Sequence, residues 1–133
     1  MMCVFCDIIN KKADAYIVSE TDHTITILDI EPINEGHVLV IPKIHEATLS
    51  KIPSEIAAII MEEAQKIVRV YEEAFDADGY SIMQNGGAFC DFGHFHFHVF
   101  PRFKNDGFGW TYPEGSFEYS KEVADRIKGQ IQS

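Results

Sequence analysis

Basic residues are scarce in this chain: 11 Lys and Arg stand against 21 Asp and Glu, a formal net charge of −10 over 133 residues. That deficit excludes a general binder of nucleic-acid backbone, whose affinity comes from Lys and Arg on the phosphates. It leaves open a small phosphorylated ligand held by backbone N–H groups and histidines. Long apolar runs are missing too. No stretch approaches the ~20 apolar residues of a membrane span, and the opening MMCVFCDIIN has neither the basic start nor the apolar core of a signal peptide. The expectation is a soluble cytoplasmic protein without a membrane partner. Cysteine is limited to three residues, which in a reducing compartment do not form a disulfide framework. No repeat, low-complexity tract or Pro/Gly/Ser-rich linker divides the sequence. With 46% hydrophobic residues, residues 1–133 are expected to form one domain with its own core.

What the chain does have is GHFHFHVFPR, residues 93–102. On a strand, side chains alternate between faces at about 3.3 Å per residue, so His94, His96 and His98 would share one face, each roughly 6.6 Å from the next. Phe95, Phe97 and Val99 would fill the other face, and Pro101, with no N–H to donate, would mark the strand's end. Neighbouring same-face imidazoles at that spacing cannot all reach one ion, because Zn–N bonds are only about 2.0–2.1 Å.

The rest of the chain reads as a mixture of helices and strands. Residues 4–12 suit a short helix with Phe5, Ile8 and Ile9 on one side. HTITILDI predicts a strand from Thr24 to Asp29, EPINEG a turn, and HVLVIP a second strand, together a hairpin. Pro53-Ser54 opens a long helix to about Phe75, with Ile56, Ile59, Ile60, Ala64, Ile67, Val68 and Tyr71 at helical spacing. Its charges, Glu62, Glu63, Lys66, Arg69, Glu72 and Glu73, read as a solvated face. YSIMQN predicts a third strand and the histidine segment a fourth. FGWTYPEGSF reads as an aromatic loop before a short helix from Ser120 to about Gln130. The class is α+β with a mainly antiparallel sheet.

His-x-His-x-His followed by two apolar residues resembles the signature of the histidine triad family of nucleotide hydrolases and transferases. ILDIEP, GHVLVIPKIH and QNGG resemble three further family segments in the same order, so the likeness runs from about Val4 to Arg102. It implies the family's fold, with about five strands, one long helix and shorter terminal helices. It implies hydrolysis or nucleotidyl transfer at the α-phosphate of a small nucleotide, such as a nucleoside 5′-phosphoramidate. His96, the middle triad residue, would be the nucleophile and form a nucleotidyl-imidazole that water then cleaves. Neutral imidazole suits that role near pH 7, since its unperturbed pKa is about 6.5. His98 would hydrogen-bond a phosphoryl oxygen or the leaving group. Asp29 matches the position that accepts ribose hydroxyls, although an Asp before Glu-Pro also simply opens a turn. Asn85 matches a phosphate-side amide, although Asn also favours a tight Gly turn. Val4, Phe5, Ile8, Ile27 and Ile30 match the nucleobase wall, or are ordinary core. His37 matches a supporting position. Arg102 either reaches phosphate or lies on the surface, and His23 is expected to be exposed.

CVFC places Cys3 and Cys6 at C-x2-C spacing, which suits a zinc knuckle and needs two more ligands. Some members of the superfamily carry zinc on such a pair, a histidine after the second strand and the first triad histidine. The resemblance therefore implies a structural Zn²⁺ on Cys3, Cys6, His45 and His94. It also implies a homodimer built on the long helix and a sheet edge. The chain departs from the family's Gly-Gln-Ser/Thr before the triad, carrying Cys90 and Asp91 at the Gln and Ser/Thr positions. An ionised Asp91 beside a phosphate would be repulsive. This departure leaves the leaving group open, and the missing Gln counts against the alternative of a dinucleoside polyphosphate hydrolase. A further alternative is a zinc-stabilised nucleotide-binding protein with little turnover.

Overall fold

A computed structural model describes residues 2–132. Five strands form one antiparallel sheet in the order β1-β2-β3-β5-β4: β1 Ile17–Glu20, β2 Thr24–Leu28, β3 Val38–Pro42, β4 Gly79–Met83 and β5 Phe97–Arg102. Helices α1 Val4–Ile9, α2 Ser54–Ala74 and α3 Lys121–Gln132 complete the fold, which is α+β as expected. None of the described helices is long and apolar enough to cross a membrane.

Strand β3 is buried along its whole length and carries the core to both faces. Val38 and Val40 pack under α2 with Val99, Phe95, Ile56, Ile60, Ala64 and Ile67. Leu39 and Ile41 join Ile25, Ile27, Phe5, Ile8 and Cys3 on the side of α1. The sheet thus separates two cores, as period-two alternation on a central strand requires. One glycine is demanded by the geometry. Gly36, at φ +97°, leads into β3, and a Cβ there would lie 2.6 Å from the Phe75 ring.

Three expectations need correction. The triad segment is not a strand throughout. Phe97 pairs with Val40, but β5 starts there, and His94 and His96 lie on the chain before it. The ladder stops because Pro42 has no N–H, and its carbonyl accepts the His94 ring instead, at 2.8 Å. At the far end, Pro101 lies inside β5 rather than closing it, paired with Tyr80 of β4. Its nitrogen faces the side where β3 pairing has already ended at Val99, and Asn34 Nδ2 donates to the carbonyl on that side at 2.9 Å. Glu63, read as solvated, is 3% exposed; it accepts from Ser19 Oγ at 2.7 Å and pairs with Lys66 at 2.6 Å. Strand β1 was not expected. It is a short edge strand whose register slips between Ile17 and Ser19, and Ile17 and Val18 are half exposed, so no clean alternation marks it.

Candidate active site

On the α1 side of the sheet an open cleft of about 1230 Å³ runs past the triad. Val4, Phe5 and Ile8 of α1, Ile27 of β2, and Ile30 line one wall; Asp29, His37, His96 and His98 line the floor, with Asp91 and Phe92 at the rim. Every expected pocket residue is thus brought together except Asn85, which sits exposed on the turn after β4 and is not among the lining residues. Arg102 does not reach the cleft either. Asp106 holds its guanidinium at 2.7 and 3.0 Å, Ser81 and the Phe108 carbonyl take its other N–H groups, and it stands over the Phe108 ring. His23 is exposed, and Cys90 closes a short 3-10 turn.

The histidines are set by what their second nitrogens touch. His96 is 4% exposed, and its Nδ1 lies 2.8 Å from the His94 carbonyl. A carbonyl only accepts, so Nδ1 carries the proton and Nε2 keeps a lone pair. That ring packs against Phe5 in a tilted contact at 5.1 Å and edge-on against Phe92 at 5.9 Å. His98 is set through a relay. The Ile33 N–H donates to His37 Nδ1 at 3.0 Å, which places the His37 proton on Nε2. That Nε2 lies 3.0 Å from His98 Nδ1 and 3.4 Å from Asp29 Oδ2. Donation to His98 Nδ1 leaves the His98 proton on Nε2, so His98 offers the cleft a donor. Burial, with the nearby His96 and His37 rings, pushes His98 down to about 4. Burial likewise lowers His37 against the opposing pull of Asp29. Asp29, His37 and His98 gather three possible ligand atoms within 4.8 Å. A protonated His37 Nε2 is no metal ligand, however, and the trio reads as a hydrogen-bonded relay.

The low His98 value has a stability consequence. Between about pH 6.5 and about 4 the unfolded chain binds a proton on this ring and the folded chain does not, so stability falls as pH drops through that window. The ring is 15% exposed, and the expected loss by pH 5 is about 1–2 kcal/mol. Urea unfolding of wild type and His98→Asn at pH 7.5 and pH 5 measures it. The variant should lose less stability on acidification, and equal losses would refute the assignment.

Cys3, Cys6, His45 and His94 form a second cluster, with all four ligand atoms within 4.8 Å of one another. His94 Nδ1 lies 3.4 Å from Cys3 Sγ and 3.6 Å from Cys6 Sγ; His45 Nδ1 lies 3.2 Å from Cys6 Sγ. A tetrahedral ion with Zn–S near 2.3 Å and Zn–N near 2.05 Å would put S and N about 3.6 Å apart. The donor set therefore fits a closed zinc site. The His94 bond to Pro42 fixes the proton on Nε2 and turns Nδ1 to the sulfurs, the outer bond that orients a ligating imidazole. Cys3 caps α1 and Cys6 lies within it, so the four groups tie the cleft's apolar wall to the triad.

Phe92, Leu39 and Tyr16 also line the cleft and were not singled out from the sequence. Leu39 carries only an ordinary strand signal. Phe92 is placed by the loop rather than by any periodicity.

A histidine pair with fixed tautomers, set over an apolar cleft on a five-stranded antiparallel sheet, defines a histidine triad protein. The chain belongs to that family: the sequence model described as HIT domain matches residues 10–105. It is 35% identical over 136 residues to the adenosine 5′-monophosphoramidase HNT1 of Saccharomyces cerevisiae, covering 96% of this chain and 84% of that one. A crystal structure of a HIT family member from Bacillus subtilis superposes with a TM-score of 0.85 at 30% identity, covering 99% of this chain and 96% of that one. A zinc-bound histidine triad family protein from Mycobacterium smegmatis superposes with a TM-score of 0.74 at 34% identity, covering 98% and 95% of the two chains.

Proposed function

We propose that this protein hydrolyses nucleoside 5′-phosphoramidates at the α-phosphorus through a covalent nucleotidyl-His96 intermediate. The observation that carries this reading is the unengaged Nε2 of His96, whose ring is held by the His94 carbonyl and lines the cleft. The nucleobase lies against Val4, Phe5, Ile8, Ile27 and Ile30. Asp29, whose Oδ1 already accepts the Glu31 N–H at 2.8 Å, keeps lone pairs for ribose hydroxyls. Asn85 serves the phosphate only if its turn moves inward on binding.

In the first step His96 Nε2 attacks phosphorus, an N–P bond forms, and the P–N bond to the amine breaks. The leaving nitrogen takes a proton from solvent in the open cleft. His98 Nε2–H donates to a phosphoryl oxygen as charge builds there. Its depressed pKa keeps this ring neutral near pH 7, so it serves as a hydrogen-bond donor rather than a cation. Water then attacks phosphorus, the N–P bond breaks, and nucleoside monophosphate and free imidazole result, the proton returning to solvent. Covalent catalysis splits one hard displacement into two easier ones. A zinc ion on Cys3, Cys6, His45 and His94 has no part in these steps; it would hold α1 against the triad.

Rapid-quench mass spectrometry with adenosine 5′-phosphoramidate tests this reading. The expected result is a transient adenylyl adduct on the peptide containing His96. Turnover with no adduct at any quench time would reject the covalent route, and binding without turnover would favour a nucleotide-binding protein.

A further inference from the structure

The described residues that line the cleft include four carboxylates, Asp14, Asp29, Glu31 and Asp91, and no Lys or Arg. A site for anionic substrates commonly meets the charge with a guanidinium or ammonium group. Basic side chains just beyond α1 and β3 and at the end of β5 are engaged elsewhere. Arg102 is clasped by Asp106, while Lys11 and Lys43 both pair with Glu20. The acidic balance is therefore a property of the cleft itself as well as of the whole chain, whose net charge is −10.

The four carboxylates are not equivalent. Asp29 is engaged with the Glu31 N–H and the His37 ring. Asp14 and Glu31 flank the apolar wall, next in sequence to the lining residues Ala15 and Ile30. Asp91 rises from the loop that enters the triad, beside Phe92, and makes no hydrogen bond or ion pair with any described residue. It is near enough to His98 to favour charge on that ring. Between them His96, buried to 4% exposure, keeps an unpartnered Nε2 at the cleft. A phosphoryl group bound at His96 and His98 thus has a free carboxylate as its neighbour.

We propose that Asp91 makes this cleft selective for a positively charged leaving group. The substrate class is a nucleoside 5′-monophosphate joined by a P–N bond to an amine that carries a second, protonated amino group. The inference rests on the phosphoramidate reading above and deepens it. Asp91 pairs with the spectator ammonium group. The reacting nitrogen leaves as before, with its proton from solvent, and the ammonium group keeps its own proton throughout. A leaving group with negative charge, a polyphosphate above all, meets the carboxylate without a counter-charge. Attraction and repulsion of this kind across a wet cleft are screened by salt over about 8–10 Å.

Three adenosine 5′-phosphoramidates of nearly equal size test the inference: those of ethylenediamine, propylamine and β-alanine, with leaving groups that are cationic, neutral and anionic. Their amines also differ in basicity, so the informative quantity is the change in kcat/KM ratio between wild type and Asp91→Asn. The cation-to-anion ratio should fall about tenfold or more in the variant, equivalent to about 1.4 kcal/mol. In the wild type the same ratio should shrink as salt rises from 50 to 500 mM. Ratios that are equal in the two proteins and flat with salt would overturn the assignment of Asp91 while leaving the phosphoramidase reading intact. Inertness of all three compounds, with no His96 adduct, would overturn both. Asp91 is exposed, and an unchanged melting temperature for the variant separates a charge effect from a folding defect.

Discussion

His96→Ala should lower kcat on a nucleoside phosphoramidate by at least about three to four orders of magnitude, the loss expected when a nucleophile is removed. His96→Asn should do the same while keeping more of the ring's volume between Phe5 and Phe92. Nucleotide binding should survive in both variants, because the apolar wall and Asp29 remain. Steady-state kinetics with isothermal titration of AMP separates the two effects. Activity within about tenfold of wild type would remove His96 from the chemistry. The same experiment on His98→Ala should give a smaller loss, since a single donor to developing charge is worth about 10²–10³ in rate. If the larger loss followed His98 instead, the order of roles would be reversed. The structural reason for expecting this order is the tautomers: the His94 carbonyl leaves His96 with a lone pair, and the His37 relay leaves His98 with a proton.

Loss of the cysteine pair should have the largest effect on stability. The protein purified without chelator or affinity tag should carry one zinc per chain by native mass spectrometry, and Cys3→Ser/Cys6→Ser should carry none. The chain has two apolar cores of its own, so the cost should be local rather than total, unlike a zinc finger that is unfolded without metal. A loss on the order of 3 kcal/mol would lower the melting temperature by roughly 6–12 °C for a domain of this size. Amides of α1 should exchange faster with deuterium while those of β3 and β5 change little. Because Val4, Phe5 and Ile8 line the cleft, KM for nucleotide should rise more than kcat falls. A wild type that carries no metal as purified without chelator, and melts at the same temperature as the double variant, would remove zinc from this account.

Much of the fold was legible because its strongest signals are local. The Ser54–Ala74 helix follows from apolar residues at helical spacing, and the β2–β3 hairpin from β-branched alternation on either side of a Pro/Asn/Gly turn. Strand β1 was not legible, since a short edge strand needs only one neighbour and little burial. Glu63 was misread because helical periodicity places a side chain on a face without saying what lies opposite. Ser19, 44 residues away in the chain, decides that this carboxylate is buried.

The candidate site divides along the same line. Residue identity and spacing marked the three histidines and the Cys3–Cys6 pair, and the resemblance to the family singled out His96, His98 and the departure at Asp91, because those signals lie in types and intervals along the chain. Only the folded chain could decide how each ring is used. The Pro42 carbonyl turns His94 Nδ1 toward the sulfurs, the His94 carbonyl frees His96 Nε2, and Ile33 acts through His37 on His98. Each of those contacts joins a ring nitrogen to a group whose position is set by sheet register or loop closure. A neutral imidazole has one proton and two nitrogens, and no spacing in the sequence says which nitrogen holds it. The clasp of Arg102 by Asp106 likewise depends on the turn after β5 bringing that acid back onto the strand.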